Sequence, residues 1–127
     1  MGIIGLLFNK FMDNRSYKTG KGIAGAMFMS SLAMKEHYKE SAPSYAWIAG
    51  KALETRPKWK RIDEVTFEHE PSETQIEISD KQSIKDVIHM IVEVEIEYIF
   101  SSLPYGRIEE LLNLSNKAVN DYFKKQN

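Results

Sequence analysis

The sequence predicts an α+β domain that is mostly α, a compact helical domain with five or six helices and one short antiparallel β-hairpin at about 62–70 and 74–79. Three observations lead there. Residues 83–100, SIKDVIHMIVEVEIEYIF, are the most apolar continuous segment, and a fold of 127 residues has to be built around them. Val65, Phe67 and His69 alternate with Thr66, Glu68 and Glu70, and Ile76 and Ile78 flank Glu77, with Pro71, Ser72 and Glu73 as the turn. Most of the remaining apolar residues recur at helical intervals. A chain of this length with 43% hydrophobic residues is a single domain, 1–127, large enough to bury about two thirds of its unfolded surface.

Taken in order, residues 2–12 predict a short amphipathic helix with Ile3, Ile4, Leu7, Phe8 and Phe11 on one side, weakened by Gly2 and Gly5 and docked on the domain. Lys10 alone is too little positive charge for a membrane-surface helix. The polar run DNRSYKTG at 13–20 predicts a loop ending in glycine. Residues 21–39 predict a second helix, with Gly22, Gly25, Ala26, Ser30 and Ala33 permitting close approach of a neighbour. Met27, Met29 and Met34 serve as core filler. Ser41 or Ser44 caps a third helix reaching about Thr55, which packs through Ala46, Trp47, Ala49, Gly50 and Leu53 and stops at Pro57. The basic run from 56 to 61 surrounds Trp59 and predicts a surface linker whose tryptophan tucks into the core.

Residues 83–100 admit two readings. At helical spacing Ile84, Val87, Ile88, Ile91, Val94 and Tyr98 share one side, while Lys85, Asp86, His89, Glu93 and Glu97 form one polar stripe. At strand spacing Val92, Val94, Ile96, Tyr98 and Phe100 alternate with Glu93, Glu95 and Glu97. The helix is preferred, because one stripe explains five polar positions and Ser83 with Asp86 forms a capping box. Glu95 fits the helix poorly. A strand here would be the third member of the hairpin's sheet.

Charge is divided along the chain. Residues 1–61 carry 11 Lys/Arg against 4 Asp/Glu, and residues 62–100 carry 2 against 11. The halves either face each other in the fold or offer a surface that steers a charged partner. With no cysteine, thiol catalysis, disulfides and Cys-based zinc sites are excluded, and the redox compartment leans to the cytoplasm. No segment has the ~20 apolar residues of a membrane span, and no secretory leader is expected.

Residues 103–125 carry a further pattern. Ile108, Leu112, Leu114, Val119 and Tyr122, with Ser115 as a cap, are similar to the helix-turn-helix unit of bacterial sigma factors and transcription regulators. The resemblance implies two short helices at a steep angle and a recognition face of Asn116, Lys117, Asn120 and Lys124, usable for adenine, guanine or phosphate. Glu109, Asn113 and Asp121 depart from that pattern.

Three functional classes stand at this level. The first is a small, soluble, non-enzymatic interaction protein of inhibitor, immunity or accessory type, binding a protein partner through a charge-segregated surface at Asp86, His89, Glu93 and Glu97. The second is a DNA-binding regulator using residues 105–125. The third is a metal-binding helical bundle in which His89 and Glu93 are joined by Glu36, His37 and Glu40. No cofactor and no nucleophile elbow is implied. The small residues of the second helix are compatible with a homodimer.

Overall fold

In the computed structural model, which describes residues 2–126, the chain folds as α1 (Ile3–Tyr38), α2 (Tyr45–Glu54), β1 (Trp59–Arg61), β2 (Thr66–His69), β3 (Thr74–Glu77), α3 (Ile84–Ile99) and α4 (Tyr105–Gln126). Single 3-10 turns follow α1 and β2. The fold is mostly helical α+β, as the sequence predicts. The sheet is an antiparallel meander of order β1-β2-β3, with Trp59 opposite His69 and Phe67 opposite Ile76. The expected hairpin is β2 and β3. The basic run expected as a linker contributes the third strand, and its tryptophan is buried as anticipated.

The 83–100 segment is a helix. Ser83 Oγ accepts from the Asp86 amide at 3.1 Å and Asp86 accepts from the Ser83 amide at 3.0 Å, which closes the capping box. Val87, Ile88, Ile91, Val92 and Ile96 are buried from it, so the strand alternative falls.

Two expectations are corrected. Residues 13–20 are not a loop, and the two expected N-terminal helices are one helix of 36 residues, about 54 Å long at 1.5 Å per residue. Its low-propensity stretch is held by α4. Ser16 Oγ donates to the Leu111 carbonyl at 2.6 Å, and Gly20 lies against the Ser115 backbone so closely that a Cβ would sit 2.9 Å from Ser115 Cα. Arg107 Nη2 donates to the Asn9 carbonyl at 2.9 Å and to Asp13 at 2.7 Å. Tertiary contact overrides local propensity here. The close-packing face is Ser16, Gly20, Ala24 and Met27, whereas Gly22, Ala26 and Ala33, expected on it, are exposed.

The second correction concerns residues 103–125. They do not form a helix-turn-helix, because α4 runs unbroken from Tyr105 to Gln126. No Gly or Pro follows Gly106 in this helix, and Asn113 continues it. Leu111, Ser115, Ala118 and Val119 are buried at the i, i+4, i+7, i+8 positions of a single helical face. Of the five anchors of the motif, Ile108, Leu112, Val119 and Tyr122 pack on the core from this side of the helix.

The sheet docks on the helices through Phe67, which is fully buried. Its ring and the Arg61 guanidinium, which lies 4.7 Å from the ring centroid, together fill the space a Cβ on Gly50 would need. Gly20→Ala is expected to lower stability by about 2 kcal/mol, since the neighbour it strikes is backbone. Gly22→Ala, with open space around it, is expected to raise stability by about 0.5–1 kcal/mol through helix propensity. Thermal unfolding of the two variants distinguishes the buried seam from the solvent face.

Candidate functional site

The two expected site sets meet at His89, which packs from the acidic stripe against Asn116 and Asn120 of the expected recognition face. His89 Nδ1 lies 2.6 Å from Asn116 Oδ1 and Nε2 lies 3.2 Å from Asn120 Oδ1. An amide presents either its oxygen or its NH2, so both asparagines can bond the ring in either charge state. Lys117 bridges to Asp121 at 2.9 Å, and the Tyr17 hydroxyl donates to the same carboxylate at 2.7 Å. That hydroxyl holds Asp121 below the usual carboxylate range, with Lys117 adding to the effect. His89, Asn116 and Asn120 therefore bind α3 to α4, Tyr17 and Asp121 bind α1 to α4, and Lys117 and Lys124 are exposed.

Of the acidic candidates, Asp86 is used by the capping box, whose Ser83 amide lowers its pKa. Glu93 and Glu97 are exposed. Among the described residues no three His, Cys, Asp or Glu side chains converge as metal ligands, so Glu36, His37 and Glu40 do not join His89 and Glu93.

Glu95, the misfit of the helical pattern, turns inward. Arg56 grips it with Nε at 2.9 Å and Nη2 at 2.7 Å, and Trp59 Nε1 donates to it at 2.9 Å. The two charged side chains keep only 19% and 14% of their exposure. A bidentate, mostly buried pair of this kind fixes geometry, because either partner alone would be a costly unpaired charge. His69 packs between Trp59 and Tyr98, with ring centroids at 5.2 and 5.3 Å, and its Nδ1 meets Ser72 Oγ at 2.8 Å. This cluster joins the sheet to α3.

An open groove of about 940 Å³ runs between the end of α1, the start of α2 and Ile84. Leu32, Ile48 and Phe28 line it, and the Ser31 and Tyr45 hydroxyls on its wall are buried without a partner among the described residues. Burial pushes the Tyr45 hydroxyl up to about 12.

The feature that spacing located and packing reinterprets is the beginning of α1. The expected docked helix is not docked. Ile3, Ile4, Leu6, Leu7, Phe8 and Phe11 are 56–83% exposed, and burial on α1 begins at Met12. The helix is oriented by its opposite side, where Arg107 holds Asn9 and Asp13 and Ser16 holds Leu111. Because α1 is continuous, the outward stripe of Ile4, Leu7 and Phe11 runs on through Lys18 and, a few turns later, the exposed Met29. Arg15 lies at its edge, 5.6 Å from the centroid of the Phe100 ring. Expecting a loop at 13–20 concealed that Lys18 and Lys21 extend the same helix.

No family model matches the chain, and comparisons with curated proteins and with solved structures found no match.

Burial holds His69 below its ordinary value, against the pull of Glu95. The unfolded chain then binds a proton that the folded chain refuses, so stability is full above about pH 6.5 and falls as pH drops through and below that value. His69→Gln is expected to be less stable at neutral pH, with a flatter dependence of denaturation midpoint on pH between about 5 and 7. Equal slopes for both proteins would contradict the assignment.

Proposed function

We propose that this protein is a non-enzymatic docking protein whose working surface is the outward face of α1. The observation that carries the reading is the exposure of six large apolar side chains within nine residues, on a helix whose other side is anchored in the fold. Burying an aliphatic or aromatic side chain is worth about 1.5–3 kcal/mol, so leaving six in water forgoes roughly 10 kcal/mol. Scattered apolar residues on a surface need no explanation, but a contiguous set of this size marks an interaction site.

The reading keeps the interaction class expected from the sequence and moves its contact surface. Of the four acidic-stripe residues, Asp86 and His89 serve the fold, which leaves Glu93 and Glu97 as solvent-facing charge. The α1 face combines apolar area with charge, since residues 2–35 carry Lys10, Arg15, Lys18, Lys21 and Lys35 against Asp13 alone. Asp13 is bridged by Arg107.

A dye that brightens on apolar surfaces tests the reading. Native protein is expected to enhance anilinonaphthalene sulfonate fluorescence, and the combined Leu7→Ser, Phe8→Ser and Phe11→Ser variant is expected to lose that enhancement while melting within about 2 °C of the parent. Glu93→Lys with Glu97→Lys should leave the dye response in place. A serine variant that melts far lower, with no dye response in the parent, would show the face to be packed and the reading wrong.

A further inference from the structure

Resting on that docking role, we infer that the occupant of the α1 face is an anionic lipid surface, on which the helix lies without spanning it. No helix among the described residues is long and apolar enough to cross a membrane. The apolar part, from Ile3 to Phe11, covers about 12 Å of helix axis, and a helix lying in the interface plane buries such a face to a depth of ~5–10 Å at the headgroup boundary. The next turns place Arg15, Lys18 and Lys21 on or beside the same face, all exposed. Their position is that of cations meeting phosphate headgroups while the preceding side chains enter the acyl boundary.

The acids nearest this face are neutralised from within. Arg107 bridges Asp13 at 2.7 Å and Glu110 at 3.3 Å. The strongly acidic segment, residues 62–100, lies in the sheet, its loops and α3, and within it Glu95 is taken up by Arg56 and Asp86 by the cap of α3. An anionic surface attracts the exposed basic turns of α1.

A second copy fits this face less well. Pairing two α1 faces offers Lys10, Lys18 and Lys21 of each copy no nearby acid but Asp13 and Glu110, both already bridged by Arg107. Fewer than three turns of apolar contact are also short for a helix pair that must hold alone. The lipid surface answers both the apolar and the basic part of the face.

Vesicle cosedimentation of the full chain tests the proposal, using phosphatidylcholine vesicles with and without about 30% phosphatidylglycerol at low and high salt. Binding is expected only to the anionic vesicles, weakened at least about tenfold at 0.5 M salt. Lys18→Glu with Lys21→Glu is expected to lose binding while keeping the dye response, and Leu7→Ser with Phe8→Ser to lose both. Equal binding to neutral vesicles would overturn the choice of an anionic surface. No binding to either vesicle at low salt, with the dye response intact, would overturn the lipid proposal and leave the docking role standing. A dimer by sedimentation equilibrium that the Leu7→Ser, Phe8→Ser variant dissolves would assign the face to a second copy instead. Loss of the dye response in the unmodified protein would remove the docking role itself.

Discussion

Everything distinctive in this molecule depends on the seam between α1 and α4. Ser16 and Gly20 let the two backbones approach, with a hydroxyl-to-carbonyl bond at 2.6 Å beside a glycine pressed on the Ser115 backbone. Arg107 extends the seam toward the start of α1 by holding Asn9 and Asp13. Tyr17, Lys117 and Asp121 close it on a neighbouring side. A run that contains Asp, Asn, Ser, Thr and Gly has little helix propensity of its own, so this seam keeps α1 in one piece. The continuous rod then carries its first three turns, apolar on their outer side, with the basic turns behind them.

The sheet depends on a different device. Phe67 fills the hollow over Gly50, and the Arg56–Glu95 pair with Trp59 ties β1 to α3. Three short strands with little apolar surface do not persist alone. They persist here because one aromatic side chain and one buried ion pair lock them to helices. The buried His69 adds to that lock.

Much of the fold was legible because the period of a pattern survives packing. The α3 stripe, its Ser83–Asp86 cap, the β2–β3 hairpin and the inward Trp59 all follow from local rules. Legibility failed where long-range contacts decided the outcome. Residues 13–20 look like a loop until α4 supplies the partner for Ser16 and Gly20, 95 residues away in the chain for the Ser16 bond. The resemblance to a helix-turn-helix failed for a related reason, because four of the five apolar positions, Ile108, Leu112, Val119 and Tyr122, also describe one face of a single helix and nothing in α4 breaks it. Glu95 signalled its role by its misfit, although its partner Arg56 could not be named from spacing. The apolar residues of α1 were correctly placed on one face; whether that face is covered is a property of tertiary structure, and here it is not.

The docking role depends most directly on the exposure of that face. The chain has no cysteine, so single Leu7→Cys, Phe11→Cys and Met27→Cys variants report their own sites to a thiol reagent. The account predicts that the thiols at 7 and 11 react within a few-fold of the denatured chain, while the thiol at 27, where Met27 is fully buried, reacts at least about 100-fold more slowly. Protection at 7 and 11 comparable to that at 27 would contradict it.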